Sequence, residues 1–375
     1  MTVTDASVPT LGVEEEFLIV DPETGRLMPA ARAVVAAARR FGVDLCPELT
    51  PVQVETNTPV CAGMQDVRAH LLAARATTAA AALEVGGCLV ASGVPMAEHA
   101  EPAFTDEERY RRIGAEFGLL AAEHDVCGCH VHVAVPDRDS AVRVGNHLRL
   151  WLPTLLALTA NSPIHRGVDT GYASWRSVLC GRWACSGAPP FFASAADYDA
   201  RVDGLVASGA VLDRAMVYWD VRPSEHLPTV EVRVSDVPAT VDGSVLLAVL
   251  VRALVMTALE AERADRPAAA VPAEVVRAAY WRAARDGITG QGLDLTTGGL
   301  VPAQRLVRDL VRHVEPALRR TGELRAVRQL LTTLLRDGNG AVLQRAAFRR
   351  RGRLTDVVAE LARHTLQDCR PANVA

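Results

Sequence analysis

The feature that most constrains the fold of this chain is a period of two. The segments GVEEEF (12–17), VQVETN (52–57), CHVHV (129–133), YWDVRPS (218–224) and TVEVRVSD (229–236) alternate apolar residues with charged, amide or imidazole residues. Successive side chains of a strand point to opposite faces, so each segment predicts a strand with one apolar and one polar face. The polar faces carry Glu14 with Glu16, Gln53 with Glu55, His130 with His132, Asp220 with Arg222, and Glu231 with Arg233. Glu15 falls on the opposite face, where solvent and an arginine partner are both open to it.

One such segment alone reads as a solvent-facing antiparallel strand. Together they carry complementary chemistry. Carboxylates brought together repel unless a cation or arginine compensates. Glu14, Glu16, Glu55 and Glu231 with one histidine form an oxygen-rich donor set that suits Mg²⁺ or Mn²⁺. Arg222 and Arg233 offer bidentate grips on phosphate or carboxylate. Cys127-x-Cys129 beside His130 hints at zinc, but no second Cys/His pair has suitable spacing.

Composition excludes other chemistries. All 40 basic residues are arginine, so no P-loop, Schiff-base or kinase-strand lysine exists. The net charge of −4 gives no reason to expect nucleic-acid binding. The N-terminal MTVTDASVPT has neither a basic nor an apolar leader region, and the scattered cysteines read as reduced thiols of a cytoplasmic protein. The apolar run Val245–Leu259 is broken by Arg252 and reads as a buried helix, not a membrane span.

Strands are predicted at 11–20, 51–58, 88–92, 129–135, 217–221 and 229–234. Helices are predicted at 30–41, at 66–86 with Asp66 as N-cap, after a TDEE capping box at Thr105, and over 138–159 as one or two. From 241 the chain reads as mostly helical, with breaks near 287–302 and 337–340. Residues 161–192 read as a long irregular segment, often a functional one. The expected class is α+β with an antiparallel sheet. One catalytic domain is expected over 11–366, between flexible tails at 1–10 and 367–375.

The set GVEEEFLIVD, PVQVETNT, GCHVHVAV, ANSPIHRGVDTGYASWRS, RWACSGAPPFF, YWDVRPS, LPTVEVRVSD and DGNGAVLQR resembles the bacterial type-2 glutamate–cysteine ligases, or carboxylate–amine ligases, of the glutamine-synthetase-like superfamily. The resemblance runs from about Leu11 to Thr365. It implies a curved antiparallel sheet whose inner face lines the active site, helices outside, and a homodimer. It implies ATP-dependent activation of a carboxylate, usually the γ-carboxylate of glutamate, as an acyl phosphate that an amine such as that of cysteine displaces. Glu14 and Glu16 resemble strand glutamates that bind different metal ions, His130, Glu231 and Glu55 further ligands, and Arg233 a substrate or phosphate arginine. Arg222, Arg176 and Arg182 are further candidates for phosphate or carboxylate. Gln344 and Arg345 either reach the site or cap a helix. Asp220 is either a base or an ion-pair partner of Arg222. Ala184-Cys185 and Asp286 depart from the family pattern, which leaves the acceptor amine open. The alternatives are a metal hydrolase built on His130 and His132, and a non-catalytic nucleotide or amino-acid binding protein.

Overall fold

The computed structural model describes residues 8–97 and 104–370. The expected tails fall largely on 1–7 and 371–375, outside the described residues. The strands that matter for the site are β1 (Leu11–Val20), β2 (Cys46–Pro47), β3 (Gln53–Asn57), β4 (Cys88–Val90), β5 (Gly128–Ala134), a small hairpin of β6 (Ile164–His165) and β7 (Val168–Asp169), then β8 (Val221–Pro223) and β9 (Thr229–Asp236). Without that hairpin, these form one 7-stranded sheet ordered β2-β3-β1-β5-β9-β8, with β4 paired to the end of β1. The pairings are antiparallel.

Register places the polar residues in a row across the strands. Glu16 lies opposite Glu55, Glu14 opposite His130, His132 opposite Glu231, and Glu231 opposite Arg222. The other face is apolar. Leu11, Val13, Val131, Val133, Val230 and Val232 pack into one core with helix Val241–Arg263. The second half of β1, Phe17 to Val20, joins a neighbouring core with helices Ala31–Arg40 and Leu354–Thr365. Helix Val241–Arg263 is longer than the run read from sequence. It is long and apolar enough to cross a membrane, yet 78% of its most apolar window is buried inside the protein.

Glu15 has an arginine partner. Both side chains of the Glu15–Arg75 pair are fully buried. Arg75 grips the carboxylate with Nε at 2.9 Å and Nη2 at 2.6 Å, and Nη2 also reaches Pro238 O at 3.0 Å. Its Nη1 donates to Ala239 O and Thr365 O. One guanidinium thus ties β1 to helix Met64–Glu84 and to the segments entering and leaving two other helices.

Several local expectations are corrected. Helix Met64–Glu84 starts before Asp66, and Asp66 turns back to accept from Ala62 N. The Met64 N–H is capped by the Glu323 carboxylate at 2.9 Å, from a segment distant in sequence. The helix after Thr105 starts at Glu108 with no side-chain cap, because the Thr105 hydroxyl donates to Glu48 O instead. Residues 217–220 are not a strand. There Asp220 N donates to Gly187 O while Asp220 O still accepts from Arg233 N, so the 161–192 segment takes the N–H side of Asp220 and the regular ladder with β9 begins only at Val221. That segment also contains the β6–β7 hairpin and helix Trp175–Cys180.

Candidate active site

β1 and β5 present Glu14, Glu16, His130 and His132 side by side. His130 Nδ1 lies 3.0 Å from Glu14 Oε2, and His132 Nε2 lies 3.1 Å from Glu14 Oε1. A proton on His130 Nδ1 for Glu14 leaves Nε2 as a lone pair. That buried Nε2 has no hydrogen-bond partner and sits 3.8 Å from Glu16 Oε1. Glu16 is aimed by Gly128, whose N–H donates to Oε2 at 2.6 Å. Only glycine fits at 128, because a Cβ there would lie 2.5 Å from Arg176 Nη2 and 3.0 Å from His130 Nε2.

Two overlapping sets of donor atoms gather within 4.8 Å: Glu14, His130 and Glu231, and Glu16, Glu55 and His130. Electrostatics divides them. Burial would raise Glu14, but hydrogen bonds from both histidines hold it well below the usual carboxylate range. Burial would also raise Glu231, but Arg233 and Arg222 hold it down. Glu55 goes the other way, pushed up to about 7 by burial and by Glu14 and Glu16. Glu48 is raised by burial and by Glu16 and Glu55. Burial and the Arg233 charge hold His130 neutral. An unpartnered imidazole lone pair beside uncompensated carboxylates suits a hard divalent cation.

The row opens into a cavity of about 210 Å³. Its charged lining includes Glu16, Glu48, Glu55, Arg176, Asp220 and Arg233. Asp220 is raised to about 6 by burial, against the pull of Arg176 and Arg233. It does not pair with Arg222, which grips Glu231 with Nε at 2.7 Å and donates to Ala215 O and Val217 O. Arg233 also bonds Glu231. Arg176 donates to the Arg233 and Val234 carbonyls and has no carboxylate partner among the described residues.

Four side chains expected to grip substrate or reach the site do not line the cavity: Arg222, which is spent on Glu231, and Arg182, Gln344 and Arg345. Arg182 pairs with Glu123 at 2.7 Å on the outer side. Arg345 grips Asp169 at 3.0 Å and Tyr172 O, while Gln344 is buried against Asn161. Both therefore brace the 161–172 segment, and Asn339 caps the helix that carries them. Cavity residues that the period of two did not flag are Glu48, Arg109, Tyr110 and His124. None of them lies in an alternating segment. Glu48 stands seven positions before Glu55 in the turn after β2, so only proximity to β3 hinted at it.

The profile "Glutamate-cysteine ligase family 2" matches residues 10–360. A protein of Mycolicibacterium smegmatis, provisionally named glutamate–cysteine ligase 2-3, is 52% identical over 361 residues, covering 96% of this chain and 99% of that protein. One of Nocardia farcinica, provisionally named glutamate–cysteine ligase 2-1, is 52% identical over 97% of this chain and 95% of its own length. In fold, the chain is similar to a Francisella tularensis glutamate–cysteine ligase crystallised with AMP, with a TM-score of 0.68 at 15% identity over 96% of this chain and 89% of that one. It is also similar to a bifunctional glutathione synthetase of Pasteurella multocida, with a TM-score of 0.70 at 15% identity, over 96% of this chain and 52% of that one. With the profile spanning nearly the whole sequence and relatives half identical from end to end, this chain belongs to glutamate–cysteine ligase family 2 and is an ATP-dependent ligase that forms a C–N bond.

Proposed function

We propose that the enzyme activates the γ-carboxylate of glutamate with ATP and joins it to the amine of cysteine or another small amino acid. The observation that carries this reading is the cross-strand row of Glu14, Glu16, Glu55, His130 and Glu231 at the mouth of an arginine-lined cavity. Glu48, hydrogen-bonded to Glu55, lies beside that row in the same cavity and is a candidate further ligand. Bound Mg²⁺ or Mn²⁺ would neutralise the polyphosphate and the substrate carboxylate, which otherwise repel each other.

The chain's own groups do the rest. Glu14 and Glu231 stay ionised at any working pH, and neutral His130 offers Nε2 to a cation. Arg222 holds Glu231 in place. Arg233, partly buried and fixed by Glu231, faces the cavity as a permanent positive charge for the phosphoryl oxygens. The substrate carboxylate oxygen attacks the γ-phosphorus and ADP leaves. The amine nitrogen then attacks the acyl carbon, and phosphate leaves with the former carboxylate oxygen. The acceptor arrives as an ammonium ion and must lose one proton before attack. Asp220, raised to about 6 and outside the ligand row, is a cavity carboxylate able to accept that proton near neutrality. The phosphate leaving group can take the second.

The test is ADP release with Mg²⁺, glutamate and one candidate amine at a time, followed by the product's mass. A product equal to glutamate plus amine minus water is expected. Amide hydrolysis without nucleotide would instead favour the hydrolase reading.

A further inference from the structure

We propose that His124 recognises the carboxylate of the acceptor amino acid through a neutral Nε2–H, with its tautomer set by Trp183. This rests on the ligase reading above and names the acceptor class: a small α-amino acid with an uncharged side chain.

Trp183 Nε1 lies 3.0 Å from His124 Nδ1. An indole N–H only donates, so Nδ1 must hold a lone pair and the ring proton sits on Nε2. No group among the described residues bonds that Nε2, and His124 lines the cavity. The ring is fixed on two sides. Trp183 meets it edge-on at 5.2 Å and Tyr218 stacks on it at 6.1 Å. Burial, followed by the charges of Arg176, Arg182 and Arg233, pushes the imidazole down to about 3, so it remains neutral at any working pH.

The charges acting on His124 are those of arginines, and the cavity-lining Arg176 keeps a buried Nε with no hydrogen-bond partner. A neutral donor on which arginine charges act, with the Arg176 Nε–H still unpartnered, selects an anion. Around it, Tyr110, Ile113, Trp183 and Tyr218 form an aromatic and apolar wall. The carboxylate row claims the substrate that carries the reacting carboxylate. The wall suits the other substrate, whose only anionic group is its α-carboxylate.

Two substitutions separate recognition from scaffolding. In His124→Gln the side-chain amide takes the place of Nε2 and keeps a donor toward the cavity. In His124→Asn the amide takes the place of Nδ1 and keeps the acceptor for Trp183. With acceptor varied at saturating Mg²⁺, ATP and glutamate, His124→Asn should raise the acceptor KM by roughly 10-fold or more. His124→Gln should stay near wild type, and neither variant should shift the KM for ATP or glutamate. Near-wild-type kinetics in His124→Asn with damage in His124→Gln would mean a purely structural histidine. A rise confined to the glutamate KM would overturn the acceptor assignment. If the wild type releases no ADP with any amine, the ligase reading itself has failed. Calorimetric titration of L-cysteine and L-alanine then still tests the carboxylate grip, which requires binding to be lost in His124→Asn and kept in His124→Gln.

Discussion

At the scale of single residues, the carboxylates of the row do different work, and mutation should separate them. Glu16 sits among Glu48 and Glu55, where removing one negative charge relieves repulsion. Glu16→Ala should leave stability unchanged or slightly raised in metal-free buffer. Its kcat should fall by more than the roughly 10–100-fold typical of residues that only orient a metal ligand. Glu231 is embedded between Arg222 and Arg233, with 4% of its side chain exposed. Glu231→Ala strands two guanidinium groups, so it should lose activity and also about 3–5 kcal/mol of stability. Paired kinetics and urea melts check both, and equal stability losses in the two variants would contradict the contrast. Period-two reading put Glu14, Glu16, Glu55, His130 and Glu231 on one face, where the register aligns them, because strand geometry projects sequence parity directly onto a face. It could not find Glu48 or His124, which stand in irregular segments where parity carries no information.

At the scale of elements, the strands were legible and their attachments were not. The bulge in β9 is an instance. Between Cys129 and Val131 the register of β5 against β9 slips, so Cys129 faces Ser235 and Gly128 faces Asp236. Parity alone would have put Ser235 beside Arg233. The bulge instead turns Asp236 toward Ser162, Ser174 and Asn161 N, which pin the loop that carries Arg176. Long-range caps escaped the sequence for the same reason. Glu323 caps Met64 N and neutralises Arg252, and nothing local announces either contact. The Glu15–Arg75 tie gives the test at this scale. Arg75→Met leaves a buried carboxylate alone and should cost about 3–5 kcal/mol in urea unfolding. Adding Glu15→Gln should recover part of the loss. Below the unfolding transition both variants should keep near-normal kcat, because Glu15 points away from the cavity. A large kcat defect in folded Arg75→Met would show that the tie also shapes the site.

For the whole molecule, the metal-free state carries negative charge it cannot compensate internally, since its arginines are largely committed to other carboxylates and to backbone carbonyls. With the proposed cation bound at the row, stability should depend jointly on pH and on divalent cation. Glu55 is raised from 4.5 to about 7 in the fold, and Glu48 is raised as well. Between those limits the native state holds protons that the unfolded chain has released. The Glu55 contribution is therefore complete below about pH 4.5 and is lost as pH rises through about 7, and Glu48 acts in the same direction. His132, lowered by burial but raised on balance by Glu14 and Glu231 together, acts in the same direction. Neutral His124 and His130 act oppositely, with a contribution that is complete above about pH 6.5 and is lost as pH falls below it. Absolute melting temperatures mix these contributions, so the informative quantity is the Tm in Mg²⁺ minus the Tm in EDTA. A cation needs the deprotonated carboxylates, and its stabilisation grows as its Kd falls. That difference should be small near pH 5 and should rise steadily toward pH 8. Glu55→Gln should flatten the rise by removing one of the protons that the cation must displace. A difference that stayed constant with pH in the wild type would mean that the cation binds elsewhere and that Glu48 and Glu55 are not its ligands.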